Sequence, residues 1–593
     1  MEARQAALRS HGQREAAPIR LSGLPYVRPS INVRCFVGHL SRCAARGQPK
    51  AASFAVCSTF FVRSAGTAAG LRRFYLMAHE IELKLDAPAK AAARLPKTPW
   101  LQKLARAPAR RQRLVSVYFD TRAFKLRKAG MSLRVRHQGD KTVQTVKRDP
   151  KGACGALTRE EWECEIAGGE PDLDVAEHTA LAQFNLKKLG RKLRPVFETD
   201  VERVAILLEH QDNKLELAID RGEVRAGDRS EPLSEVELEV KDSEPIEAVK
   251  LARRIAAETA ASYGTKSKAE RGYALSAGKE HAPVFGNEIP LRPAMFAGQA
   301  LQAIGFSCLH HFAANHDAVA HGDPEGVHQM RVGLRRFRAA LSLFRELVQQ
   351  PDAEHIKSEL KWLTEQLGAA RDFDVLLKEG VKRLRRQEPE AGEVAALEND
   401  LEQRRRAAFA RAKAAVESDR YRRLVLECAF WLAGGDWFTS RDPLIAARRD
   451  ILVSDFAAAE LTRRTGKIIK RSKKLEALDA RRRHKLRIAI KKVRYACEFF
   501  TYVYEGRKAA RRRKEFTATL KGIQSGLGRL NDVQVHGKLA HRFAHPSRRA
   551  ARQTEKAFAI GLLAGGEHAE VRAILVDAIK AARRISDSKP FWR

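Results

Sequence analysis

In the stretch AHEIELKL, Glu80, Glu82 and Lys84 occupy alternate positions, with Ile81, Leu83 and Leu85 between them. Strand side chains alternate with a period of two, so one face is fully charged and the other fully apolar. Two carboxylates and an ammonium side by side could hold a metal ion against a phosphate; the plainer alternative is a charged row facing water above an apolar core. The same alternation recurs in Arg134 and Arg136, in Glu161, Glu163 and Glu165, and in Glu235, Glu237 and Glu239 opposite Val236, Leu238 and Val240. If these rows face inward, acids and bases line a polar tunnel. Such burial is tolerable only when the charges pair with one another and with a charged ligand.

A second kind of pattern lies further along. HQMRVGLRRFRAALSLF (328–344) aligns with HKLRIAIKKVRYACEFF (484–500), matching His328, Arg331, Arg335, Arg336 and Arg338 to His484, Arg487, Lys491, Lys492 and Arg494. A following block, LKWLTEQLGAARDFDV (360–375), matches LKGIQSGLGRLNDVQV (520–535), pairing Lys361 with Lys521 and Asp372 with Asp532. On a helix, positions 0, +3, +7 and +10 fall within an arc of roughly 80°, so a histidine and three basic residues form one stripe in each copy. A single such stripe reads as a solvated face; two copies with a matching lysine on a following helix favour a bound polyanion. The histidines suit either phosphate contact or ordinary hydrogen bonding, and the two aspartates suit caps or arginine orientation.

The elements that must carry these residues divide the chain. Strand-patterned runs at 114–121, 132–138, 141–149, 159–166, 197–209, 214–224 and 233–241 join EIELKL to give about eight strands, a number suited to a closed barrel. Beyond HAPVFGNEIPLRP (281–293), Ala-, Leu-, Arg- and Glu-rich segments with helical spacing take over, and this half is expected to be all α. The expected units are therefore 77–278, a linker 279–293, and 294–593, the last holding repeats at about 294–440 and 441–593.

The 593 residues carry a formal net charge of +38, pointing to a polyanionic partner. The charge is segregated, about +10 in 1–76 and about +24 in 291–593. Eight scattered cysteines with no CxxC pair indicate neither a zinc site nor a disulfide framework, and a reducing cytoplasm fits them. The apolar run AASFAVCSTFFV is too short to cross a bilayer. Strand patterning begins directly after Met77, so residues 1–76 are expected to be a disordered extension or an upstream stretch outside the working protein.

ExExK, YFDT (118–121), LRxR (133–136), a later TxK (145–147), LELAIDRGEV (215–224), ExExE and TKSKAERGY (265–273) stand in an order that resembles the CYTH, or triphosphate tunnel metalloenzyme, family. The resemblance implies an eight-stranded antiparallel tunnel that hydrolyses a linear triphosphate with a divalent metal. Carried over by position, Glu80, Glu82, Glu237 and Glu239 would ligate Mg²⁺ or Mn²⁺. Lys84, Arg134, Arg136, Lys147, Arg203 and Lys268 would hold phosphate oxygens. Lys84, Glu161 and Glu235 are the candidate catalytic groups, the two glutamates also being candidate members of the ligand set; the sequence does not identify the base that activates water. Asp120 and Asp220 suit structure or tunnel electrostatics, and Tyr118 and Tyr273 suit packing.

The repeated half resembles the CHAD domain, which the resemblance implies binds inorganic polyphosphate between two helical bundles. Aromatics make up 7% of the chain and do not interleave with the stripes, which weighs against a single-stranded nucleic-acid channel. The expected whole is an α+β multidomain, cytoplasmic, metal-dependent inorganic triphosphatase yielding diphosphate and phosphate, tied to polyphosphate and its granules by its second domain. A class IV adenylate cyclase, a thiamine triphosphatase and a non-catalytic polyphosphate scaffold are the alternatives.

Overall fold

The computed structural model describes residues 76–79, 81–148, 160–210, 213–242, 245–387, 392–473, 475–544 and 573–593. The expectations for residues 1–75 and for Glu80 lie outside the described residues.

Among the described residues, ten strands form one sheet: β1 (Leu76–His79), β2 (Ile81–Asp86), β3 (Arg110–Thr121), β4 (Met131–Gln138), β5 (Lys141–Arg148), β6 (Glu160–Ile166), β7 (Leu193–His210), β8 (Asn213–Ala226), β9 (Arg229–Asp242) and β10 (Ser262–Tyr263). Their order is β1-β6-β5-β4-β3-β7-β8-β9-β2-β10, and the pairings are antiparallel. The run expected as one first strand is thus divided: β1 pairs with β6 and β2 with β9, with one residue between them in the chain.

The period of two sorts the side chains. Leu83 and Leu85 of β2, Leu215, Leu217 and Ile219 of β8, and Val236 and Leu238 of β9 enter the main apolar core, while Leu133, Val135, Val146 and Trp162 enter a second cluster. The alternate residues Glu82, Lys84, Arg134, Arg136, Lys147 and Glu237 line a cavity of about 960 Å³. The sheet therefore packs its apolar rows against surrounding chain and turns its charged rows toward one another.

From Ala297 onward the described residues are predominantly helical. The helix Pro324–Leu343 starts at Asp323, whose carboxylate accepts from Gly326 N at 2.9 Å, and Ala480–Phe499 starts at Asp479, which accepts from Arg482 N at 2.7 Å. Both caps satisfy backbone donors that a helix start leaves open. These two helices carry the basic stripes of the repeated blocks.

The joint between the halves is built rather than slack. The helix Pro245–Thr259 packs against Asp419–Gly434, and a continuous core joins the apolar face of β2, β8 and β9 to the helical half. The linker is strapped down: the buried Asn315 accepts from Val284 N at 3.0 Å and donates to Val284 O at 2.8 Å. At Gly286 an added Cβ would stand 2.2 Å from a nitrogen of Arg336, so only glycine lets the linker pass this close.

Candidate functional site

The cavity is made of ion pairs set by strand register. Lys84 lies opposite Glu237 across β2 and β9, and Asp220 lies opposite Glu235 across β8 and β9. Arg203 of β7 grips Asp220 with two bonds of 2.7 and 2.6 Å and reaches Glu237 at 2.7 Å. Lys268 enters from the first turn of the helix Lys268–Ala277, where Ser267 and Glu270 form a capping box. Its ammonium meets Asp220 at 2.7 Å, Glu237 at 2.8 Å and Glu235 at shorter range. Gly272 in this helix allows the close approach: a Cβ there would lie 2.0 Å from the Phe197 ring.

Across the cavity, Arg134 holds Glu161 and Glu163, each at 3.4 Å, and Lys147 holds Glu161 at 2.7 Å. Thr145 donates to Glu163 at 3.0 Å. Arg136 is the cation least provided for. Its buried Nε has no hydrogen-bond partner among the described residues. Burial, with the nearby charges of Arg134 and Arg203, pulls its guanidinium down to about 10.

The opposite imbalance sits at Glu82. Register places it opposite Glu239, which in turn lies opposite Glu216, so three carboxylates adjoin on neighbouring strands. Burial and then the charge of Glu237 raise the Glu82 carboxyl, against the pull of Lys84, Lys147 and Lys268. Glu82 and Arg136 are thus two groups of the cavity whose charged forms their surroundings disfavour.

The expected ligands Glu82, Glu237 and Glu239 all line the cavity, as do the expected phosphate-binding Lys84, Arg134, Arg136, Lys147, Arg203 and Lys268. Glu161 also lines it. Glu235 does not. It is fully buried, held by Lys84 and Lys268, and its place is beneath those lysines. The tightest carboxylate cluster, Asp220, Glu235 and Glu237, has one oxygen from each within 4.8 Å of the others, but the Lys268 ammonium bonds all three. By register Glu82, Glu216 and Glu239 adjoin on neighbouring strands as oxygen donors of the kind hard divalent cations prefer, but they are not among the carboxylates whose oxygens converge within 4.8 Å.

Glu216 went unflagged because LELAIDRGEV repeats no ExE pattern; only the pairing with β9 brings it beside Glu239. Asp120 is structural: it accepts from the backbone N–H of Leu126 at 2.9 Å and of Arg127 at 3.0 Å, and from the Tyr273 hydroxyl at 3.1 Å.

In the helical half, His328, Arg331 and Arg335 are partly exposed and Arg338 is exposed. Arg331 donates to Thr364 O at 3.1 Å. Burial lowers its guanidinium, and although Asp372 opposes this, Arg335 and Arg371 add to it. His328 is lowered by burial and next by Arg371. Arg371 is therefore a further member of this cluster, held by the buried Asp374 at 3.1 Å. It was missed because the matched position in the second block is Asn531.

In the second copy His484 is exposed, while Arg487, Lys491, Lys492 and Arg494 are partly buried. The Nε atoms of Arg335, Arg487 and Arg494 are buried without a hydrogen-bond partner among the described residues. Lys361 and Lys521 are exposed.

Arg336 departs from expectation. It is 3% exposed, donates to Asn287 O at 3.2 Å and to His311 Nδ1 at 3.3 Å, and pairs with Glu498 at 3.1 Å. At +8 from His328 it falls off the stripe and points into the joint.

A strongly charged cavity inside an antiparallel sheet is thus followed by helices with paired basic stripes. Residues 78–273 match the CYTH domain and residues 303–541 match the CHAD domain. The chain carries a CYTH domain followed by a CHAD domain.

Over 200 residues it is 30% identical to the inorganic triphosphatase of Haemophilus influenzae, a match covering 34% of this chain and 56% of that protein. The chain thus spans little more than half of that relative. The CHAD domain from Ricinus communis is similar at 31% identity over 50% of this chain and 97% of its own, with a TM-score of 0.41. An adenylyl cyclase-type protein from Hippeastrum with a dominant triphosphatase activity is similar at 21% identity over 34% of this chain and 96% of its own, with a TM-score of 0.24. Among the described residues no helix is long and apolar enough to cross a membrane.

Proposed function

We propose that the CYTH domain hydrolyses inorganic triphosphate to diphosphate and phosphate with Mg²⁺ or Mn²⁺, and that the CHAD domain binds inorganic polyphosphate. In this reading β1 and β2 act as one strand, closing an eight-stranded tunnel, and the helical half is a duplication. The observation that carries it is the double imbalance in the cavity: crowded carboxylates at Glu82 and crowded cations at Arg136. A divalent cation beside a linear polyanion relieves both at once.

Glu82, Glu216 and Glu239 would hold the cation, joined by Glu80 and Glu237, and the cation would supply charge neutralisation on the transferred group. Arg134, Arg136, Lys147 and Arg203 would bind phosphate oxygens, the arginines by paired N–H bonds. Lys84 and Lys268 would meet the same anion, steadied from behind by Glu235 and Asp220. Because these donors are already aimed inward, little rearrangement is needed as charge shifts in the transition state. Glu161, held by Lys147 and Arg134, would be the carboxylate that orients water.

Arg331, Arg335, Arg371 and Arg338, with His328, would form one side of the polyphosphate site. Arg487, Lys491, Lys492 and Arg494, with His484, would form the other, and Lys361 and Lys521 would extend it. Arg336 is left out, since its charge is spent in the joint.

The test is a substrate panel on the full chain: inorganic triphosphate, ATP and thiamine triphosphate, with polyphosphate binding measured alongside. Turnover of inorganic triphosphate above the others supports the reading. Preference for ATP or thiamine triphosphate would favour a cyclase or thiamine triphosphatase, and polyphosphate binding with no turnover would favour a scaffold.

A further inference from the structure

Three residues outside the sheet help to line its cavity: Asn287 and Glu288 of the linker, and His310 of the helix Ala297–Ala313. Thr265, Lys266 and Ser267 line it too, on the segment that joins β10 to the helix Lys268–Ala277. The linker and the helical half thus share the cavity with the strands.

The segment after β10 bears on two of the cavity's lysines. Gly264 N donates to Lys84 O at 3.0 Å, and a Cβ at Gly264 would stand 2.6 Å from Lys84 Cγ, so the chain lies directly on the Lys84 side chain. It then starts the helix that carries Lys268. Within the sheet half it is held by a two-residue strand at one end and a helix cap at the other, and Gly264–Lys266 between them follow no regular pattern.

The remaining anchors come from beyond the sheet half. Arg422 of the helix Asp419–Gly434 donates to Ala261 O at 3.0 Å. The Lys266 ammonium meets Asp317, on the helix His316–Ala320, at 2.7 Å and donates to Glu280 O at 2.9 Å. Asp317 is itself steadied by His316, whose Nδ1 lies 3.0 Å from its other carboxylate oxygen. Lys266 is 20% exposed, sheltered enough for this one carboxylate partner among the described residues to govern where it lies.

We propose that the helical half is a working part of the triphosphate site and that Asp317 is a positioning residue for it: by holding Lys266 it fixes the segment from Ala261 to Ser267, and through that segment the ammonium groups of Lys84 and Lys268. This rests on the triphosphate reading and extends the site from the CYTH domain into the CHAD domain. A flexible triphosphate can still be bound by cations that have shifted slightly, whereas the transition state needs their charge at fixed points. Loss of Asp317 therefore lowers kcat more than it raises KM.

The experiment is steady-state hydrolysis of inorganic triphosphate by the full chain with Mg²⁺ or Mn²⁺, comparing wild type, Asp317→Ala, Lys266→Met and the double variant. Asp317→Ala should lower kcat about 10- to 100-fold, the scale of a small misplacement of reacting groups. Because Asp317 acts through Lys266, the double variant should be no slower than the slower single. Asp317→Asn, which keeps the shape and an acceptor, should lie between Asp317→Ala and wild type. Polyphosphate binding and the melting midpoint should stay at wild-type values. An unchanged kcat, fully additive losses, or a loss of turnover matched by a lowered midpoint would overturn the proposal and leave the triphosphate reading standing. A wild type that turns over no triphosphate would overturn that reading, and this proposal with it.

Discussion

Arg336 pairs with Glu498 across the two stripe helices at 3.1 Å. The matched positions make the reverse contact: Lys492, aligned with Arg336, donates at 2.9 Å to Ser342, aligned with Glu498. Equivalent residues touching in both directions are the mark of a two-fold relationship. Arg336 also holds the linker at Asn287, so Arg336→Ala should cost about 1–2 kcal/mol by removing the contacts of a buried guanidinium whose partners Asn287 and Glu498 are themselves exposed. Urea unfolding of the full chain measures this; an unchanged midpoint would show that the joint does not depend on it.

His311 adds a pH dependence to the same joint. It is 2% exposed, and burial and then the Arg336 charge hold its imidazole at about 4 against an ordinary 6.5. A histidine depressed on folding contributes stability that is present above the ordinary value and lost as pH falls toward the folded one. The difference is roughly 3 kcal/mol, lost between about pH 6.5 and 4. Unfolding followed across that window should be visibly less pH-dependent in His311→Asn.

Lys268 neutralises Asp220, Glu235 and Glu237 together. Lys268→Met should therefore cost about 3–5 kcal/mol, because it leaves buried carboxylates uncompensated. Adding Asp220→Asn should recover part of the loss. Thermal unfolding of the single and double variants decides this, and strictly additive losses would contradict the shared network.

Glu82→Gln should separate stability from activity. Removing one carboxylate from the crowd at Glu216, Glu237 and Glu239 should stabilise the metal-free protein by about 1 kcal/mol while weakening Mn²⁺ binding at least tenfold. A variant less stable than wild type without metal would show that Glu82 is already compensated.

For the helical half, Arg331→Ala with Arg335→Ala should weaken polyphosphate binding about tenfold or more and flatten its dependence on salt. Fluorescence titration at several ionic strengths reads both. Arg338→Ala, exposed on the same stripe, should give a smaller loss.

The strand set was readable because a period-two alternation of charged and apolar residues survives in β2, β4, β6 and β9, as Leu83 and Leu85 against Glu82 and Lys84 show. What local pattern cannot carry is pairing between distant strands. Glu216 becomes a site residue only beside Glu239, and Glu235 becomes a buried anchor only because Lys84 and Lys268 both reach it. Repeat matching likewise grouped Arg336 with the stripe, while its angle on the helix and its burial against Glu498 and Asn287 set it apart. Arg371 escaped for the opposite reason, having no basic counterpart in the second block.

The most direct measurement is phosphate release from inorganic triphosphate by the full chain, with Mg²⁺ or Mn²⁺, with EDTA, and in Glu82→Gln. The predicted result is release that requires the cation and is abolished or nearly so in the variant. Release that persists in EDTA, or a folded wild type that releases nothing with either metal, would contradict the account.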